Sequence, residues 1–215
     1  MATPEIRTFR ESDTEPLRAL FASAGQGAPP DALWGHRDSE TDVYLAPYMD
    51  LAPDSLFLAF LHGTMVGYLT GCLDTSALPS ERERMERAIR RHRLMLRPRC
   101  LPFFARSLLD SAGARVRRHP PVVELDDPRW PAHLHINVLP QARGTGVAAA
   151  LMERWFDRLA DTGTPGCYLQ TLVENTRAVR FFERMGFVAH GPNPPIPGIR
   201  SQGRRLHQQT MVRTT

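Results

Sequence analysis

The sequence predicts a mixed α/β layer fold: a central, twisted, mixed sheet of about six to seven strands flanked by helices. Three observations predict it. Two strand-like runs, Ser55–Leu61 and Met65–Leu73, flank a hairpin-length turn, His62-Gly63-Thr64. The last third then alternates strand, helix, strand, helix, strand. Between these parts the hydrophobic period changes, which marks about 78–131 as a helical insertion within a single domain covering 1–215.

Taken in order, Ile6–Phe9 reads as a short strand. Ser12 or Asp13 caps a helix that carries Leu17, Leu20 and Phe21 on one face. Gly25–Pro30 reads as a loop, and a helical stretch lies within Asp38–Asp50, its end disturbed by Pro47. In the insertion, Glu83/Arg87 and Glu86/Arg90 stand four apart on a charged helix with a thin stripe of Met85, Ile89 and Leu96, ended by Pro98. A second helix runs from about Pro102 to Ala112 and is closed by Gly113. His133–Leu139 alternates like a strand, and Pro140–Gly146 is a turn. Thr145–Ala160 has the apolar face of a helix in Ala148, Leu151, Met152, Trp155 and Leu159. Gly166–Val173 is a strand. Asn175–Met185 is a helix stopped by Gly186. Phe187–His190 and Leu206–Arg213 are two final strands, joined by the Pro/Gly-rich loop Pro192–Gly203.

Composition excludes several classes. At 215 residues, 42% hydrophobic and 23% charged, the chain reads as globular rather than fibrous or disordered. No apolar run reaches the ~20 residues that span a bilayer. The first 25 residues lack a signal-peptide pattern, so the expected location is the cytoplasm. All 27 Lys+Arg residues are Arg, so no Lys serves as base or Schiff-base nucleophile. Cys72, Cys100 and Cys167 are scattered and odd in number, against a disulfide framework or a zinc site.

The informative segment is Gln141-Ala142-Arg143-Gly144-Thr145-Gly146-Val147, between a strand and a helix. Two glycines allow unusual φ/ψ and close backbone approach. The first N–H groups of the following helix have no internal partner and sit at the positive end of its dipole, which suits a phosphate. The turn lacks the Gly-Lys-Ser/Thr of a Walker loop and the third Gly of a dinucleotide fingerprint. The phosphate owner is therefore expected to be neither ATP nor NAD.

The run His133-Leu-His-Ile-Asn-Val-Leu-Pro-Gln-Ala-Arg-Gly-Thr-Gly-Val resembles motif A of the GCN5-related N-acetyltransferases (GNAT). About thirty residues on, Glu174-Asn175-Thr-Arg-Ala178-Val-Arg-Phe181-Phe182-Glu183-Arg-Met-Gly186-Phe187 resembles motif B. Pro131-Ala-His-Leu-His-Ile, with the helical insertion before it, resembles a bacterial subgroup related to the acetyltransferase-like domain of O-GlcNAcases. The resemblance implies a GNAT-like fold, acetyl-CoA as co-substrate without a metal, and an amine acceptor, either a small molecule or a protein. It places the pyrophosphate on the backbone from Arg143 through Gly144, Thr145, Gly146 and Val147 to Ala148, with Gln141 opening the turn. It pairs the pantetheine arm with backbone at Val138 and Leu139, with Asn175 bonding the arm and Phe182 lining it; Phe181 reads as core.

Acetyl transfer to an amine needs a proton acceptor and a donor to the thioester oxygen, the latter expected from a backbone N–H near Val138 or Leu139. His135, then His133, are the expected bases. They stand two apart on one strand and so face one side. A His-Leu-His also resembles the pair in serotonin N-acetyltransferase, but its spacing to the glycine turn differs by one residue, which flips the face. Asp74 and Glu124 are the alternative carboxylates. The family's motif B Tyr is Phe182 here, so either another group is the acid or the sulfur leaves as thiolate, tolerable at a thiol pKa of about 8.5. His-x-His can ligate zinc, but no third ligand stands at a recognisable spacing, so no metal is expected. Trp34, Tyr44, Tyr48 and the Pro192–Gly203 loop are candidate walls for the acceptor. Two rival classes stay open: an inactive acetyl-CoA sensor, and an Arg-rich binder of nucleic acid or acidic partners built on residues 81–99. Interleaved Glu residues argue against nucleic acid. An apolar face of the insertion would suit a homodimer, and no membrane partner is expected.

Overall fold

The computed structural model describes residues 3–24 and 33–215; the loop expected at Gly25–Pro30 lies outside them. An eight-stranded sheet runs in the order β1-β2-β3-β4-β5-β8-β6, with β7 pairing the same strand β8. Its strands are β1 Glu5–Thr8, β2 Leu56–Leu61, β3 Thr64–Cys72, β4 Ala132–Val138, β5 Gly166–Leu172, β6 Val188–His190, β7 Pro195–Ser201 and β8 Arg204–Thr214. The helices are α1 Thr14–Ala24, α2 Arg37–Tyr44, α3 Ala46–Leu51, α4 Glu81–Arg91, α5 Leu101–Val116, α6 Val147–Asp161 and α7 Thr176–Arg184.

Local chemistry explains the elements. The β2–β3 turn places His62 and Gly63 at φ 50° and 75°, the two positive angles that match the twist of a tight hairpin. Asp13 ties β1 to α1, since both carboxylate oxygens accept from Arg7 at 2.7 Å and one also accepts from the Arg10 N–H. Ser80 and Glu83 cap α4 reciprocally. Apolar faces then bury on both sides of the sheet. Leu151, Met152, Trp155 and Leu159 of α6 pack one face with Phe187, while Leu17, Leu45 and Tyr48 pack the other. A smaller cluster joins α2, α4 and α5 through Val43, Ala88, Leu94 and Phe103, with Trp34.

Four expectations need correction. The helix within Asp38–Asp50 is two helices, broken where Leu45 leaves helical geometry, and Pro47 sits in the first turn of α3 rather than ending a helix. The charged helix does not reach Pro98. It stops at Arg91, Arg93 turns left-handed, and Leu96 lies on a short 3-10 turn, 78% exposed. Gly113 does not close α5, which continues to Val116, because nothing there forces a left-handed residue. The Pro192–Gly203 loop contains β7, an edge strand where proline costs no ladder bond on its outer side.

Candidate active site

The site follows from how β4 meets its neighbours. Against β3 it pairs along its length, from Cys72↔His133 to Gly67↔Val138. Against β5 it pairs only at Ala132↔Cys167 and His133↔Tyr168, after which the two parallel strands diverge. In an antiparallel ladder alternate residues point their N–H and C=O at the partner. The Leu139 N–H donates to Val66 O at 2.9 Å, so Leu139, Asn137 and His135 turn their backbone toward β3. Ile136 and Val138 therefore turn theirs into the split. The Leu139 N–H is thus already taken, and Val138 is the residue whose backbone edges the split.

At the open end of the split lies the glycine turn. Gly144 and Gly146 have φ of 80° and 87°, and a Cβ on either would meet nothing within 4 Å. Gly146 is the N-cap of α6 and brings no side chain to it. Among the described residues, the first-turn N–H groups of Val147, Ala148 and Ala149 thus have no capping partner, while Ala150 N–H already reaches Gly146 O at 3.0 Å. Bare donors at a positive helix end, with open space before them, fit a diphosphate. Thr145 is turned inward, its hydroxyl donating to Ala142 O at 2.6 Å. Arg143 is half-buried and Gln141 exposed beside this cradle.

At the closed end, where β4 and β5 part, is a pocket of about 330 Å³ of empty space including its mouth. It is lined by His133, His135, Tyr168 and Gln170 from the strands, Tyr44 from α2, and Glu81, Arg84 and Glu124 from the insertion. The two histidines differ. The Thr75 hydroxyl donates to Pro131 O at 2.8 Å, so it accepts from His133 Nδ1–H at 2.8 Å; Nε2 then accepts from Tyr48 O–H at 2.7 Å. His133 is 4% exposed, and burial holds its pKa well below 6.5. It is a locked, neutral ring. His135 makes no hydrogen bond to protein among the described residues and keeps part of its surface accessible. Burial, seconded by the charge of Arg84, lowers its pKa to about 4, so its ring is neutral and free to accept a proton.

The insertion supplies the pocket's charge. Arg84, 6% exposed, donates to Val43 O at 2.9 Å and to Glu124 Oε1 at 3.1 Å. Tyr44 O–H donates to Glu81 Oε1 at 2.9 Å. With both histidines neutral, two carboxylates face one guanidinium.

Other expected residues are placed elsewhere. Asp74 is exposed and accepts from Ser76 N–H at 2.9 Å, capping a short turn outside the pocket. Asn175 Oδ1 caps α7 through Ala178 N–H at 3.3 Å, which leaves its NH₂ available to donate. Phe182 is 7% exposed, packed with Phe181 and Phe187 in the core, while Phe181 is the more accessible of the pair. Of the expected acceptor walls, Tyr44 lines the pocket. Trp34 is buried with its indole N–H on Ser39, and Tyr48 lies beneath His133. Glu81 and Arg84 were missed. Their signal is only that positions 81 and 84 share a helix face, which cannot reveal what that face meets. Among the described residues no group of three or more His, Cys, Asp or Glu could hold a metal, and no helix is long and apolar enough to cross a membrane.

Fold and site together define an α/β domain with a split central sheet. The description "Acetyltransferase (GNAT) family" matches residues 21–187, and the chain belongs to that family. Over 55 residues it is 40% identical to the mycothiol acetyltransferase of Streptomyces griseus subsp. griseus, a stretch that is 26% of this chain and 18% of that relative. Among solved structures it is similar to SsHAT, at 24% identity and TM-score 0.63, with 99% of this chain and 98% of that one covered. It is also similar to yncA, a putative acetyltransferase of Salmonella typhimurium solved with acetyl-CoA, at 15% identity and TM-score 0.58, covering 98% and 93%. The ribosomal-protein-S18-alanine N-acetyltransferase of Escherichia coli shares 15% identity at TM-score 0.55, covering 99% and 94%. These structural likenesses show the fold.

Proposed function

We propose that this protein transfers an acetyl group from acetyl-CoA directly to an amine, in the cytoplasm, without a metal. One observation carries the reading: the β4–β5 split runs from an uncapped helix N-terminus to a pocket holding a neutral, unbonded histidine. Acetyl-CoA, when bound, supplies the thioester. The first-turn N–H groups of α6 and the glycine turn hold its diphosphate, and Asn175 and the Val138 edge receive its arm. The Val138 N–H, turned into the split, is the donor for the developing oxyanion. Glu81 and Glu124 draw the acceptor amine into the pocket; as its nitrogen bonds the acetyl carbon and becomes acidic, His135 accepts its proton, and the C–S bond breaks with coenzyme A leaving as the thiolate. His133 holds Tyr48 and the strand in place. The acceptor is a small or protein amine rather than nucleic acid, since Glu81, Glu83 and Glu86 stand among the Arg residues of α4. The wording of Pro131–Ile136 and the insertion support the subgroup related to the acetyltransferase-like domain of O-GlcNAcases.

The test separates binding from turnover. His135→Gln is expected to lower kcat by about 10²-fold or more while acetyl-CoA Kd by calorimetry changes less than about threefold. Loss of the base on protonation comes only as pH falls through about 4, so kcat should show no acid limb at the ordinary histidine value. An unchanged rate would move the base to Glu124. A second reading, an acetyl-CoA sensor, is favoured by Phe182 at the usual Tyr position; tight binding with no thiol release across a panel of amines would select it.

A further inference from the structure

The sheet face that carries the two histidines holds a polar group with nothing to bond. Thr70 of β3 is 0% exposed, and among the described residues its hydroxyl oxygen has no hydrogen-bond partner. A buried hydroxyl in that state is destabilising, so it gains by any small movement that finds a partner. Register supplies one. Thr70 stands directly opposite His135 in the β3–β4 ladder, and residues so paired point their side chains to the same face. Their Cβ atoms are then about 5 Å apart, a gap that a threonine oxygen and a ring nitrogen close to hydrogen-bond length. One staggered step about the threonine χ1 redirects its oxygen. Other polar side chains of that face are engaged. Tyr48 and Thr75 hold the two nitrogens of His133, Asn137 donates to the Tyr68 hydroxyl at 2.8 Å, and the Cys72 thiol donates to Asp74 O at 2.9 Å. On the other side of Thr70 the β2 residue opposite is Leu56, which is apolar. His135 keeps unused capacity.

We propose that Thr70 is the positioning residue of His135: its oxygen accepts from the ring Nδ1–H, which fixes the tautomer and turns the Nε2 lone pair into the pocket. This rests on the reading of His135 as the base. Nδ1 lies closer to the backbone than Nε2, and so closer to the facing strand. Once the ring has taken the proton of the amine, both nitrogens carry hydrogen. A partner that serves the neutral ring and the charged one must therefore accept. The same strand already uses this device, since His133 Nδ1–H donates to the Thr75 hydroxyl at 2.8 Å. Catalytic hydrogen bonds of this kind are often open in a free enzyme and tighten as charge develops.

Side-chain nitrogen NMR of the isotope-labelled full chain reads the tautomer, with the His135→Gln spectrum identifying the signals. Wild type should show neutral His135 protonated at Nδ1 alone. Thr70→Val, of the same shape without the oxygen, should show both tautomers in exchange. Thiol release from acetyl-CoA is then followed with the amine turned over fastest in the panel. Thr70→Val should lose about tenfold in kcat with KM for that amine within about twofold, and Thr70→Ser, which restores the oxygen, should return to within about twofold of wild type. A wild-type His135 unprotonated at Nδ1, a tautomer that Thr70→Val leaves unchanged, or a Thr70→Val protein with wild-type kcat overturns the proposal. The tautomer decides the contact whatever His135→Gln does to the rate, so failure of the base reading and failure of this contact are told apart.

Discussion

Gly71→Ala is the sharpest test of how the sheet carries α6. A Cβ at Gly71 would overlap Trp155 Cζ3 and lie 2.7 Å from Cε3 and Cη2. Trp155 is 0% exposed and held within the α6-side core, with Leu151, Leu159 and Leu134 in the same cluster, so the ring has no empty space to enter. Restoring ordinary contact needs a retreat of more than ~1 Å by α6 or the ring, an overpacking cost of about 3 kcal/mol. For a chain of this size that lowers the thermal midpoint by about 6–12 °C. Thermal and urea unfolding followed by tryptophan fluorescence measure it. Trp155→Phe should recover part of the loss in the double variant, since the two sites touch. A Gly71→Ala protein within about 0.5 kcal/mol of wild type would refute the close β3–α6 seating.

Two further predictions follow from the cradle and the insertion. Gly144→Trp places a side chain in the open space before α6; acetyl-CoA binding by calorimetry should be lost while the fold melts cooperatively, and unchanged affinity removes the diphosphate site. Burial raises the pKa of Asp110, but the Gly198 N–H and the Arg200 and Arg205 charges outweigh it and hold the carboxyl below 3.8. The stability it confers is therefore present above about pH 4 and is lost as pH falls through the lower folded value. Asp110→Asn should cost about 2–3 kcal/mol at pH 7 in urea unfolding and progressively less on acidification; an equal cost at pH 7 and pH 2 counts against the ion pair.

Much of the chain is legible because its cues are local. The alternation of His133–Leu139, the stripe of Trp155 and its neighbours, and the Ser80–Glu83 pair declare a strand, a helix and a cap within a few residues. Boundaries in the insertion were not legible. Gly113 and Pro98 look like stops, yet Gly tolerates helical φ, and Arg93 turned left-handed first. The strand β7 was hidden because prolines are strand breakers except at an edge, and an edge is a property of the sheet.

For the site, sequence by itself determined the family, the uncapped glycine turn and the pair of histidines on one strand face, since spacing along a chain sets which groups a helix start or strand presents. Only the tertiary structure decided that His133 is locked between two hydroxyls while His135 is free, that Val138 rather than Leu139 edges the split, and that Glu81, Arg84 and Glu124 close the pocket. The physical reason is that hydrogen-bond direction, burial and pKa depend on which neighbours arrive across the sheet. Those neighbours lie 37 to 85 residues away along the chain, as in Tyr44–Glu81 and Tyr48–His133.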